Sequence, residues 1–110
     1  MKWLKLDDTK DQLRIERDYT DEDAILTRYI NSAEATILNL TGRTYEELVA
    51  MNPTGEDAIP ADIWEATVML VVSSYEHRSP SAQYQLYAVG YGFDMKIKPY
   101  MRLTGKEVGV

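Results

Sequence analysis

Residues 20–42 read Thr20-Asp21-Glu22-Asp23-Ala24-Ile25-Leu26-Thr27-Arg28-Tyr29-Ile30-Asn31-Ser32-Ala33-Glu34-Ala35-Thr36-Ile37-Leu38-Asn39-Leu40-Thr41-Gly42, and this stretch decides the fold. Its apolar residues fall at Leu26, Ile30, Ala33, Ile37 and Leu40, flanked by Ile25, Tyr29 and Leu38. Steps of three and four residues make one stripe of an α-helix. Upstream, Thr20 and Asp23 have the spacing of a capping box, with Asp in place of the usual Glu or Gln. Asp21, Glu22 and Asp23 also place negative charge at the positive end of the helix dipole. Downstream, Gly42 follows the last apolar residue and suits a left-handed cap. The stretch predicts one helix from Asp21 to Thr41.

The same logic extends outward. Thr44-Tyr45-Glu46-Glu47 is a second capping box, here with Glu at the usual place, and predicts a short helix from Tyr45 to about Met51. Asn52-Pro53 ends it, and residues 52–57 are a loop by composition. Pro60 suits the first turn of a central helix from Ala61 to about Arg78. One face of that helix carries Ile63, Ala66, Thr67, Leu70 and Ser74; another carries Trp64, Val68, Val71, Val72 and Tyr75. A helix apolar over more than half its circumference is buried on two sides, so a neighbouring subunit is expected on one of them. Towards the N-terminus, Asp7 or Asp8 is expected to cap a short helix running through Arg14, with a thin stripe of Leu6, Leu13 and Ile15. Towards the C-terminus, Arg78-Ser79-Pro80-Ser81 breaks the central helix. Residues 79–92 then show no dominant period and predict a long loop or arm, with a short helical turn at Ala82–Tyr87. Phe93 to Leu103 is a short final element, helix or turn, interrupted by Pro99, and Thr104 to Val110 is a tail. The expected fold is all-α: a small bundle of about four helices with a long loop or arm and a short C-terminal element, in one domain over residues 1–110.

Composition narrows the function. The chain has 110 residues, enough for one domain with a small core whose stability gains from neighbours. The absence of cysteine excludes disulfides, thiolate metal sites and thiol catalysis, and fits a reducing compartment. The longest apolar stretch, Val68 to Val72, falls far short of the ~20 residues that span a bilayer, and the N-terminal residues lack a signal-peptide apolar run. The chain reads as soluble and intracellular. Its net charge of −6 divides into −8 for Met1 to Glu65 and +2 for Ala66 to Val110. An acidic protein does not hold DNA by neutralising phosphates. Opposite signs in the two halves suit head-to-tail contact between copies, or simply solvate the surface.

Catalytic chemistry has little to stand on. His77 is the sole histidine and lacks the paired spacing of a metal site. Ser73 and Ser74 lie in mid-helix without a nucleophile elbow. Gly90-Tyr91-Gly92 lacks the lysine of a phosphate loop and reads as a hinge. The carboxylate pairs are helix-start charges. No metal, cofactor or catalytic residue is expected. What remains is aromatic and Met-rich surface: eight tyrosines, two tryptophans and five methionines. Tyr84, Tyr87, Tyr91, Phe93 and Tyr100 cluster where the case for an independent core is weakest. Such residues either anchor a neighbour or fold back to cover a small core. The candidate interface therefore has two parts. An arm over 79–103 carries Tyr84, Tyr87, Tyr91, Phe93, Tyr100 and Met101, with Lys96, Lys98 and Arg102 as a charged rim. The complementary face is acidic, with Glu16, Asp18, Asp21, Glu22 and Asp23.

The order of these features resembles the small head-tail connector, or adaptor, proteins of long-tailed double-stranded DNA phages, a family also described under DNA packaging. The resemblance is carried by Leu13-Arg14-Ile15, the run Asp21 to Leu26, Tyr29 to Ala35 and Thr41-Gly42-Arg43. It continues through Ile59 to Ile63, Leu70 to Arg78, Gly92-Phe93-Asp94 and Pro99 to Arg102. It covers most of the chain, from Leu13 to Arg102; the 52–59 insert and the Gly-rich stretch before Phe93 need not follow the family pattern. It implies a helical subunit without enzyme activity and a ring of about a dozen copies. The ring would dock on the portal and on tail-side connector proteins, and DNA would pass through without specific binding. Assembly would take place in the host cytoplasm, and the final location would be the virion head-tail junction. Two other classes compete. One is a small helical adaptor or regulator that binds one cellular protein, which an isolated gene would favour over a portal–capsid–tail neighbourhood. The other is an all-helical enzyme drawing on Arg14, Arg17, Arg28 and Arg43, for which no base–nucleophile pair is visible.

Overall fold

A computed structural model describes residues 1–77 and 92–102. The described chain is all helical: α1 (Leu6–Leu13), α2 (Asp23–Thr41), α3 (Tyr45–Ala50), α4 (Ala61–His77), then helical residues 92–97 running into a 3-10 turn, Lys98–Tyr100. The expected break at 78–81, the turn at 82–87, the arm residues Tyr84, Tyr87 and Tyr91, and the tail at 104–110 lie outside the described residues, as does the side chain of His77.

The α2 stripe builds the core as expected. Leu26, Ile30, Ala33 and Ile37 are buried, while Leu40 is half-buried at its edge. They face Ile63, Ala66, Leu70 and Val71 of α4, and the α2–α4 pair dominates the packing, with α1 leaning on both. Two long-range ties set the direction. Tyr75, near the end of α4, donates to Glu22 before α2 at 2.8 Å. Trp3 is held both by Glu34 in mid-α2 and by Thr67 in mid-α4. The two helices therefore run antiparallel, and the molecule has two ends. One end carries the α1–α2 loop; the other carries α3 and the α3–α4 loop. Three buried hydroxyls on these helices donate back to their own turns, Thr41 to Ile37 O, Thr67 to Ile63 O and Ser74 to Leu70 O, while the buried Ser73 hydroxyl on α4 has no partner among the described residues.

Helix ends divide into one confirmed box and one replaced. Thr44 Oγ1 accepts from Glu47 N at 3.1 Å, and Glu47 Oε1 accepts from Thr44 N at 2.9 Å. The Thr20–Asp23 box does not form. Glu22 occupies the N-cap without a side-chain bond, and α2 begins at Asp23 rather than Asp21. The Asp23 carboxylate goes instead to Lys10 Nζ, 2.6 Å away. A full charge offers that carboxylate more than a backbone N–H does, so the spacing alone misleads. Similarly, Asp7 and Asp8 do not cap α1. Lys5 stands at the N-cap, and both carboxylates sit in the first turn, where they favour the helix dipole. Gly42 closes α2 at φ 69° with its N–H on Leu38 O, as expected. Arg14 closes α1 at φ 61°, a left-handed conformation that an L side chain resists.

The second face of α4 is covered more fully by its own chain than its apolar width suggests. Trp64, Val68 and Met69 are half-buried and pack against the core. Among the described residues, the large hydrophobics left exposed are Met1, Tyr19 and Met95. No described helix is long and apolar enough to cross a membrane.

Candidate assembly surfaces

The acidic face is built on a buried lysine. Lys10 is 2% exposed, and its ammonium meets Asp23 Oδ1 while donating to the carbonyls of Arg17 (3.0 Å) and Tyr19 (2.8 Å). A buried ammonium is tolerable only with such a full set of acceptors. It pulls the α1–α2 loop onto the bundle and leaves Glu16, Asp18 and Asp21 pointing to solvent around Tyr19, which is 47% exposed. The nearby carboxylate of Asp21, with burial and Glu22 adding to it, raises the Tyr19 hydroxyl above its ordinary range. Glu22 and Asp23, expected on the free acidic face, are instead engaged by Tyr75 and Lys10. Arg17 is held by Asp11 through two hydrogen bonds, 2.6 and 3.1 Å, which keep the Asp11 carboxyl below its usual range.

The C-terminal segment divides differently from the expected arm. Phe93 is 1% and Tyr100 6% exposed, and Ile97 lies with them in the core. Two of the proposed anchors are thus consumed by the chain's own interior, and at these positions the covering role holds. Burial, with the charge of Asp62 adding to it, pushes the Tyr100 hydroxyl up. Met101 is half-buried against the same cluster. The charged rim is largely spent as well. Lys96 Nζ pairs with Glu65 at 2.8 Å, which raises the lysine above its ordinary value. Arg102 binds both oxygens of Glu47, at 2.8 and 2.9 Å, and its Nε donates to Gly42 O. The backbone N–H of Arg102 reaches Thr41 O at 2.7 Å. Arg43 Nε completes the seam by donating to Tyr100 O. A guanidinium at the end of α2 also faces the negative pole of that helix. Glu47 serves two partners, and the Thr44 N–H first and Arg102 second hold its carboxyl below the ordinary range. Lys98 is exposed and belongs to no ion pair among the described residues.

Two buried charges escape a reading by residue type. Lys10 is one. The other is Glu34, 4% exposed, whose carboxylate accepts from the backbone N–H groups of Lys2 (2.7 Å), Trp3 (2.9 Å) and Leu4 (2.9 Å). It fastens the first residues across the α2–α4 pair and lets Leu4 enter the core. The signal was positional: Lys10 falls in helical step with Leu6 and Leu13, and Glu34 with Ile30 and Ile37.

No cluster of His, Cys, Asp or Glu among the described residues could hold a metal ion. What the described residues present is a helical bundle with an acidic α1–α2 loop at one end and the Arg43–Glu47–Arg102 seam at the other. The comparison with protein families then supplies the class. Residues 4–101 match the phage gp6-like head-tail connector protein family, and the chain belongs to it. That family is one of structural proteins of the head-tail junction. No curated protein and no solved structure matches the chain.

Proposed function

We propose that this chain is the repeating subunit of a connector ring of about a dozen copies. The ring docks on the portal of a filled capsid, receives tail-side proteins on its other face, and surrounds the channel through which DNA passes. It assembles in the host cytoplasm and has no catalytic role. The observation that carries this reading is the family match across residues 4–101. Physical features support it. A body with distinct ends suits head-to-tail contacts, which close into rings when the rotation per subunit allows. A net charge of −6 repels phosphate, so DNA slides without adhering. The contact we favour sets Lys98 of one subunit against the acidic loop of Glu16, Asp18 and Asp21 of the next. The undescribed residues Tyr84, Tyr87 and Tyr91 would add aromatic anchorage from the 79–103 region of a single domain spanning 1–110.

Light scattering and sedimentation across a wide concentration range, with and without purified portal protein, test the reading. Concentration-dependent assembly, enhanced by portal, is expected; a strict monomer indifferent to portal defeats it. Lys98→Glu should weaken assembly and leave the helical content unchanged. Unchanged assembly would remove the charge contact while leaving the ring itself standing.

A further inference from the structure

We infer that the cleft between the N-terminal strap and the α3–α4 loop is a docking groove for a basic, extended polypeptide segment of a different protein. The cleft has a volume of about 490 Å³. Aromatic rings form its walls: Trp3 and Tyr45 from one side, Trp64 from the first turns of α4. The Trp3–Tyr45 wall is fixed before any partner arrives. Trp3 stacks on Tyr45 with centroids 6.0 Å apart and planes 7° from parallel, and its Nε1 donates to Thr67 Oγ1 at 2.8 Å. On the opposite side, Asn52 ties the loop together by donating to Ala58 O at 3.0 Å and accepting from both the N–H and the hydroxyl of Thr54. A groove already held in shape loses little conformational entropy on binding.

The charge on its rim selects the occupant. Glu56, Asp57 and Glu65 line the cleft; Glu65 is paired with Lys96, which leaves Glu56 and Asp57 against Lys2, whose ammonium lies over the Tyr45 ring at 5.9 Å. Glu56 and Asp57 are exposed and form no ion pair among the described residues. Carboxylates beside aromatic faces are the chemistry that receives arginine or lysine, by charge and by cation–π contact together. Another copy of this chain is a poor candidate. Two basic stretches occur among the described residues: 1–5, which Glu34 fastens to α2 and which itself edges the cleft, and 96–102. In the second, Ile97 and Tyr100 are buried, and Lys96 and Arg102 are held by Glu65 and Glu47 of the same chain. A foreign basic segment meets no such obstacle.

Trp3 and Trp64 are the chain's two tryptophans, so intrinsic fluorescence reports this cleft directly. The full chain would be titrated with three twelve-residue peptides repeating Arg-Pro-Leu, Gln-Pro-Leu or Glu-Pro-Leu, in which proline keeps each backbone extended. The arginine peptide should shift the emission saturably, at least tenfold more tightly than the glutamine peptide, with the advantage shrinking as salt rises. The glutamate peptide should give no response. The double variant Glu56→Lys, Asp57→Lys, on an exposed loop, should keep its circular dichroism and melting temperature and lose the arginine preference. Equal binding of all three peptides, a preference that survives the double variant, or no response to the arginine peptide overturns the inference. So does an emission shift driven by protein concentration alone, which would place a second copy in the groove.

Discussion

The two buried charges are where a single atom matters most. Lys10→Met keeps the bulk of the side chain but strands the carbonyls of Arg17 and Tyr19 and leaves Asp23 without its cation. Breaking a buried ion pair costs about 3–5 kcal/mol, and because Asp23 is one-third exposed the low end, about 3 kcal/mol, is expected in urea unfolding. Glu47 gives the pH dependence. Its folded carboxyl titrates below the ordinary glutamate value. Its contribution is therefore fully present above that ordinary value and is lost as the pH falls through the lower folded one. Thermal melts between neutral and strongly acidic pH should show a steeper acid loss in the native protein than in Glu47→Gln. Equal slopes would mean that neither the Thr44 N–H nor Arg102 stabilises the Glu47 charge. Residue type made Lys10 and Glu34 look like surface, since charged side chains are seldom fully buried. Their helical register placed them inside, but the partners that permit burial come from the loop 14–23 and from residues 2–4, which no local pattern announces.

At the level of helices, two boxes with nearly the same spelling behave oppositely, and that contrast is testable. Thr44→Ala removes a formed cap and should cost about 1 kcal/mol. Thr20→Ala removes a hydroxyl that caps nothing and should change stability by less than about 0.5 kcal/mol. Equal losses in chemical denaturation would show that Thr20 caps α2 in solution. Arg14→Gly relieves the left-handed strain at the end of α1 and should stabilise the chain by about 0.5–1 kcal/mol. Three helices were legible, with α2, α3 and α4 lying where apolar spacing, Gly42 and Pro60 put them, whereas residues 92–97, helical in the structure, read only as helix or turn. Helix starts were less legible, because a capping motif states which bonds are available and not which competing partner is nearer.

For the whole molecule, the decisive region is 92–102. Phe93→Ala should lower the unfolding free energy by about 3–4 kcal/mol, because it empties a buried site. A loss below 1 kcal/mol would return this segment to the role of a free arm. The all-helical bundle was readable from periodicity, but the allegiance of the tyrosine-rich segment was not. Aromatic residues serve a core and an interface equally well, and only the third dimension separates Phe93 and Tyr100, which are inside, from Met95, which is 60% exposed. The Glu34 carboxylate carries a consequence that reaches past stability. Amides at the start of a chain ordinarily trade their hydrogens with solvent almost at once. Here those of Lys2, Trp3 and Leu4 point into the middle of α2. They should exchange slowly and in step with α2's own amides, so deuterium uptake at the first few residues becomes a gauge of whether the centre of the bundle is intact.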